Sequence, residues 1–507
     1  MKKRSLWISA AAALVVAAAL AGCGTTTYFA GRTLPPSGIR NRVMIVIQNP
    51  SPGTKGRAAF VDAYYDTRFA YNNINQTFSI AGFGSALPIS IQNMPVEQLG
   101  AVYGSGDGSL SLINYAQEKA GGTVGGLSGL LYSSVFITKD QSFAFGTSPR
   151  TGSLMVVDQT NAGGSFPMGL PGAYRVSVNP GGSVALTFVE NSNYVYYPRK
   201  LTASQTISYS GGQSTWPKAA IDCEPRTAPN WCLFQAQSPD NVDATGNYYG
   251  APLEFDRPIK AVFSSDGSTA YILNCGPECG GTRASVTLLP VAPMIYLLGL
   301  SSGQLPTNAA LSTPCATAGG VNACKIDLSS GAASNALVAS STMYVVGQHL
   351  MPDGFWGGSL STIDLANRIV VPSTSTSPNP VSISDGLPGG VSRMLLADDN
   401  TMWIGMTKCN NGERFNNPGT YPGGYGCLTM YNTSTNSVTL LEPYIGDLTG
   451  MTAVTSLHKI YVAQNGQVYI YSTKDGTSID NQYVTVTGTA WDVAYMDANL
   501  DDDNTVY

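Results

Sequence analysis

The chain has 507 residues, of which 12% are charged, and its formal net charge is −5. An acidic surface is repelled by phosphate backbones and anionic headgroups, which excludes nucleic-acid binding and a basic membrane-docking patch. Gly (56), Pro (30) and Tyr (27) are abundant, a mixture that favours strands joined by tight turns over helices.

The chain opens with Lys2, Lys3 and Arg4, then an apolar run over 6–21, then Leu20-Ala-Gly-Cys23. Charged, apolar and small-residue segments in that order form a secretory signal. The alternative is a plain transmembrane anchor, but the run is rich in Ala and Gly and falls short of the roughly 20 residues a span needs. Leu20-Ala-Gly-Cys23 resembles the lipobox of bacterial lipoproteins. The resemblance implies a signal peptide over 1–22 and cleavage before Cys23, whose sulfur would carry diacylglycerol and whose amine would be acylated. Loss of Lys2, Lys3 and Arg4 would make the mature body more acidic still. Gly24, not Asp, follows Cys23. By analogy with proteobacterial sorting, this implies the outer membrane, on its periplasmic face or at the cell surface. Residues 23–41, with Thr25-Thr-Thr27 and Pro35-Pro36, read as the lipidated Cys and a flexible tether.

From residue 42 onward every predicted element is a strand. Arg42-Val-Met-Ile-Val-Ile-Gln-Asn49 reads as the second strand of a four-stranded unit that lacks its first, followed by Ala59-Phe-Val-Asp62 and Thr77-Phe-Ser-Ile80. A weak copy runs from Ile89 through Gly100-Ala-Val-Tyr103 to Ser109-Leu-Ser-Leu-Ile113. The next begins Ser134-Val-Phe-Ile137 and reaches Ser153-Leu-Met-Val-Val-Asp158. Another begins Val176-Ser-Val-Asn-Pro-Gly-Gly182 and reaches Tyr194-Val-Tyr-Tyr197. The clearest copy is Ile259-Lys-Ala-Val-Phe-Ser-Ser-Asp-Gly267, then Thr269-Ala-Tyr-Ile-Leu-Asn274, then Ser285-Val-Thr-Leu-Leu289. Alternation marks the strands and Asp-Gly marks the hairpin turn. Further copies hold Met343-Tyr-Val-Val346 with Thr362-Ile-Asp364, Met394-Leu-Leu396 with Leu428-Thr-Met-Tyr431, and Lys459-Ile-Tyr-Val-Ala463 with Gln467-Val-Tyr-Ile-Tyr471. Trp491-Asp-Val-Ala-Tyr-Met496 reads as a first strand with no successors.

These units resemble the YVTN repeats of β-propellers, Tyr271-Ile-Leu-Asn274 and Thr362-Ile-Asp364 most closely. The resemblance covers nearly all of 42–507 and implies an all-β propeller in which one repeat is one blade. The count is eight: 42–83 with 489–507, then 84–129, 130–170, 171–215, 258–312, 334–376, 388–444 and 448–488. Seven blades is the alternative count, and two separate β-sandwiches the alternative fold. N- and C-terminal strands are expected in one blade, because that leaves no open sheet edge.

Three inserted loops interrupt the pattern, at 211–257, 292–333 and 408–426. Eight of the nine Cys remain after Cys23: Cys223 and Cys232, Cys275 and Cys279, Cys315 and Cys324, Cys409 and Cys427. An even number in an exported chain suggests disulfides, and nearest-neighbour pairing in Gly/Pro/Asn-rich loops is the simplest connectivity. A redox motif at Cys275-Gly-Pro-Glu-Cys279 is the alternative, although its spacing is too long.

No catalytic set stands out. The two His, His349 and His458, fall in different repeats and read as ordinary surface or core residues. There is no His-Glu-x-x-His, Gly-x-Ser-x-Gly or Walker motif. Asp497, Asn499, Asp501 and Asp503 place oxygen ligands at alternate positions, a weak calcium candidate that lacks the later ligands of such loops. A solvated Asp-rich turn is the alternative. No other cofactor is expected. Trp216, Trp231, Tyr248, Tyr249, Phe355, Trp356, Tyr421 and Tyr425 are candidate ligand-loop aromatics, or else caps of the core. The expectation is a monomeric, lipid-anchored envelope propeller that binds a protein, peptide or glycan. The alternative is an envelope enzyme, lactonase-, lyase- or quinoprotein-like, with its site at the central channel.

Overall fold

The computed structural model describes residues 32, 34–49, 51, 53–65, 77–127, 129–161, 164–201, 216–225, 230–243, 246–294, 305–317, 323–329, 332–350, 356–383, 391–407, 426–441, 446–484 and 486–499. Nearly all of the regular structure is strand. It forms six four-stranded sheets, two five-stranded sheets and a two-stranded ribbon. Every pairing between the named strands is antiparallel, as expected of meanders joined by short turns. The eight larger sheets are the eight blades of a propeller, so the eight-blade count holds and the seven-blade count falls.

Blade 1 takes strands from both ends of the chain. From outside inward it runs Phe78–Ser79, Arg57–Asp62, Arg42–Gln48 and Thr489–Tyr495. The closing pair is in register from Val43 opposite Tyr495 to Gln48 opposite Thr489. Its last pairs are sealed by one buried cation. The Arg42 side chain donates through Nε and Nη2 to Asp497, at 3.0 and 2.6 Å. Through Nη1 it donates to Glu118 and to the Tyr115 carbonyl of blade 2, at 3.0 and 2.7 Å. The residue that begins the first paired strand therefore ties the end of the last one to the neighbouring blade.

The interfaces follow from two-residue periodicity with both faces apolar. Along Arg42–Gln48, residues Val43, Ile45 and Ile47 join a cluster with blade 8. Met44 and Val46 join a cluster with blade 2. The core consists of eight such clusters, one between each pair of adjacent blades. Each fully buried aliphatic side chain contributes about 1.5–3 kcal/mol. No blade can bury its faces alone.

Two of the three insertions are partly structural. Within 211–257, Ala220–Glu224 and Trp231–Gln235 form a hairpin that extends blade 4 to five strands. Within 292–333, Cys324–Asp327 is the fourth strand of blade 5, and Asn308–Ser312 is a one-turn helix. Residues 408–425 lie outside the described residues. Blade 6 gains a short fifth strand, Val381–Ser382, paired with its third.

Three of the expected disulfides are present: Cys223–Cys232, Cys275–Cys279 and Cys315–Cys324. Their settings differ from the loops expected. Cys223 and Cys232 are cross-strand partners in the blade 4 hairpin, and Cys324 begins a strand. Cys427 begins a strand too and is disulfide-bonded, while Cys409 lies outside the described residues.

Replacing Arg42 with Met leaves the buried carboxylate of Asp497 without its cation. Breaking a buried pair in this way costs about 3–5 kcal/mol. Urea unfolding of Arg42→Met should show a midpoint lowered accordingly. A midpoint equal to wild type would mean that the closure does not depend on this clamp.

Candidate functional site

In blades 2 to 8 the innermost strand turns directly into the second strand, and in blade 1 the innermost strand comes from the C-terminal end. Within these strands one register position is special. It is occupied by Asp492, Ser90, Ser134, Arg175, Lys260, Asn335, Arg393 and Gly450 in blades 1 to 8. These residues pair with Val46, Tyr103, Thr147, Phe188, Leu273, Val346, Gly405 and Ala463, the same position in each second strand. In six blades the residue directly follows a register shift. A bulge of this kind inserts one residue and re-aims the side chain beside it. The result is a polar ring in otherwise apolar strands.

Several ring side chains lean onto a following blade. Asp492 Oδ2 accepts from the Ile91 amide at 2.9 Å, and Ser134 Oγ from the Val176 amide at 3.2 Å. Lys260 Nζ donates to Asn335 Oδ1 at 2.8 Å. Arg393 reaches past blade 8 to Asp492, where Nη2 lies 3.0 Å from Oδ2. Blade 8 permits this because its ring residue is Gly450. A Cβ there would lie 2.1 Å from Asp492 Oδ1. Burial pushes the Asp492 carboxyl above its ordinary value, and Arg393 and the Ile91 and Val493 amides oppose that shift.

The ring is not uniform. Ser90, Ser134, Arg393 and Asp492 are buried, as is Gly450. Arg175, Lys260 and Asn335, from three consecutive blades, are only half-buried. Arg393 is paired with Asp492, whereas Arg175 and Lys260 are the cationic side chains of the accessible arc. Burial lowers the Arg175 pKa from its ordinary value, yet guanidinium stays charged at any ordinary pH. The Arg175 group lies 5.6 Å from the centre of the Tyr174 ring.

Tyr174 and Ile259 precede Arg175 and Lys260, and they also help line a surface cavity of about 440 Å³ between blades 4 and 5. Glu190, Arg257 and Glu278 complete its charged wall. The Cys275–Cys279 disulfide holds the loop that carries Glu278.

The strand turns carry a second polar group. His458 Nδ1 lies 2.5 Å from Asp398 Oδ2 and 2.8 Å from Asp399 Oδ2. These residues occupy the first-to-second-strand turns of blades 8 and 7. The three donors are close enough together to hold a metal ion, and a protonated imidazole would clasp the two carboxylates equally well. His458 is thus a surface residue, as expected, but with two acidic partners from the preceding blade.

The aromatic candidates divide. Trp231 is fully buried, packs edge-on against Phe143 at 5.4 Å and donates to Asp158 at 3.1 Å. It is a core residue and not part of a ligand loop, a correction that follows from its place in the added hairpin. Trp216 packs half-buried against the blade 4–5 core. Tyr248 lines a small cavity beside Arg199, and Tyr249 receives Lys218 over its ring at 4.6 Å. Trp356 begins a strand of blade 6. Phe355, Tyr421 and Tyr425 lie outside the described residues. Of the calcium candidates, Asp497 is bound to Arg42 through both oxygens, Asn499 is exposed, and Asp501 and Asp503 lie outside the described residues, as does Cys23.

No protein-family model matches the chain, and comparison with curated proteins finds no match. Solved structures do resemble it. The dihydro-heme d1 dehydrogenase NirN is 10% identical, covering 92% of this chain and 79% of that one, with a TM-score of 0.47. Apo AztD from Citrobacter koseri is 10% identical, covering 89% and 97%, with a TM-score of 0.42. Hydrazine synthase from Kuenenia stuttgartiensis is 12% identical, covering 71% and 88%, with a TM-score of 0.41. At such identities no ligand or chemistry transfers to this chain. Its class is that of a β-propeller scaffold.

Gly450→Ala tests the ring. Its methyl group would force Asp492 away from Arg393, and overpacking of this kind costs about 1–3 kcal/mol. The denaturation midpoint should fall, and Ser at this position should do no better. An unchanged midpoint for Gly450→Ala would show that Asp492 does not need the space.

Proposed function

We propose that this chain is an exported, lipid-anchored β-propeller that acts as a binding module of the bacterial envelope, with its ligand engaged in the central channel. One observation carries the binding assignment. Five of eight ring positions are buried, while one arc of three polar side chains stays accessible. A ring needed only for packing would be buried throughout. The disulfides Cys223–Cys232 and Cys315–Cys324 support an oxidising compartment. Leu20-Ala-Gly-Cys23 supports the anchor, and Gly24 the outer membrane. In this reading the repeats are diverged copies of the YVTN type. Among the described residues no helix is long and apolar enough to cross a membrane, and the lipid would do the anchoring.

Metabolic labelling with a fatty-acid probe tests the anchor. Wild type should be labelled and recovered with outer-membrane fractions, whereas Cys23→Ala should lose the label. Undiminished labelling of Cys23→Ala would refute the lipid assignment. Binding is tested by thermal shift with panels of neutral sugars, short peptides and organic acids. At least one compound should stabilise wild type but not Asn335→Trp, which fills the accessible arc. If no compound does so, the channel assignment falls.

A further inference from the structure

Proton counting separates the two ways in which the turns of blades 7 and 8 could hold their His and Asp side chains together. His458 Nδ1 lies 2.8 Å from Asp399 Oδ2 and makes a hydrogen bond there. The same nitrogen lies 2.5 Å from Asp398 Oδ2. A single imidazole nitrogen carries at most one proton. That proton serves Asp399, and both Asp398 carboxylate oxygens are buried with no hydrogen bond. Among the described residues His458 is the only ion-pair partner of either carboxylate. A protonated imidazole draws both carboxylates by charge, but it leaves the buried one without a donor. A buried carboxylate without a donor is costly, and in native structures such a group calls for a ligand or ion. A metal ion would satisfy all three side chains at once.

The three residues are also held in position. The Thr401 amide donates to the Asp398 carbonyl at 3.1 Å, and the Thr473 amide to the His458 carbonyl at 3.0 Å. Across the blade boundary, Thr473 Oγ1 donates to Asp399 Oδ2 at 3.4 Å. The three ligand atoms lie within 4.8 Å of one another. Zinc bonds of about 2.0–2.2 Å set tetrahedral ligands roughly 3.4 Å apart, so the donors need part by less than about 1 Å. His458 and Asp399 have room to do so, since their side chains are 45% and 31% exposed. One imidazole nitrogen with carboxylate oxygens suits zinc and its first-row neighbours. Calcium takes about six to eight oxygens, and magnesium demands a near-ideal octahedron.

We propose that Asp398, Asp399 and His458 form a binding site for a divalent transition-metal ion of the zinc type, joining the turns of blades 7 and 8. Asp398 would be the buried, anchored ligand, and the more exposed Asp399 and His458 would close on the ion. Three protein ligands leave a fourth tetrahedral position for water or a solute group. None of the three belongs to the polar ring, so the site stands or falls independently of the channel reading.

Isothermal titration calorimetry of the full chain in non-ionic detergent, first stripped of metal with EDTA, tests this. Zn²⁺ should bind saturably and raise the melting temperature. Ca²⁺ and Mg²⁺ should bind at least about tenfold more weakly. His458→Ala should weaken Zn²⁺ binding at least about tenfold and abolish the rise in melting temperature. Asp399→Asn, an exposed substitution, should do the same, and it carries the test if His458→Ala does not fold. His349→Ala, which removes the other histidine, should bind as wild type does. A flat Zn²⁺ titration would mean that the imidazole proton alone holds the turns together, and it would overturn the proposal. Equal Zn²⁺ affinity in wild type, His458→Ala and Asp399→Asn would place the ion elsewhere and overturn it too. Ca²⁺ or Mg²⁺ binding as tightly as Zn²⁺ would overturn the assignment to the zinc class.

Discussion

The structure depends on closing a ring of sheets. The ring of an eight-bladed propeller closes only if its last blade packs on its first, and here a C-terminal strand completes blade 1 by pairing with Arg42–Gln48. Strand pairing by itself is weakly specific in register, because backbone donors and acceptors repeat every two residues. Arg42 adds specificity at the seam. Its contacts with Asp497 and Glu118 require the end of the last strand and the turn of blade 2 to meet at one point. Every other blade interface rests on this closure, since each cluster of buried side chains is shared by two neighbours.

The same architecture makes the channel wall a place where chemistry can be installed without loss of fold. Apolar side chains fill the spaces between blades, so one position per innermost strand can vary. Bulges place it, and the side chains there range from Gly450 to Arg393. Asp492, Ser134, Arg393 and the Lys260–Asn335 pair tie blades together. The arc from Arg175 to Asn335 differs in access, since its side chains are only half-buried. The adjoining cavity, bounded by Tyr174, Ile259 and the loop held by Cys275–Cys279, lies on the same two blades.

The disulfides belong to the blades more than to the loops. Cys223–Cys232 crosses two paired strands, and Cys315–Cys324 fastens the short helical segment to the outermost strand of blade 5. Bridges closing such short loops constrain the unfolded chain modestly. Their placement makes the outer edges of blades 4 and 5, which carry the added hairpin and the helix, the most braced part of the circumference.

Much of this was legible in the amino-acid sequence. Alternating strands and Asp-Gly turns repeat often enough to define blades, and the surplus Trp491-Asp-Val-Ala-Tyr-Met496 strand predicts its own partner at the other terminus. Nearest-neighbour spacing predicts the three described disulfides. These are local patterns, set by backbone geometry and solvation over a few residues. The ring had a sequence signal that went unread: aligned on their first strands, Arg175-Val-Ser-Val, Lys260-Ala-Val-Phe, Arg393-Met-Leu-Leu and Asp492-Val-Ala-Tyr each set a charge before an apolar run. Trp231 looked like a loop aromatic because its hairpin lacks the repeat pattern. Which ring charges pair and which stay accessible was decided only by the tertiary structure. Arg393 meets Asp492 across a glycine in the intervening blade, a contact between strands 99 residues apart. No local pattern encodes it, because it exists only once the ring has closed.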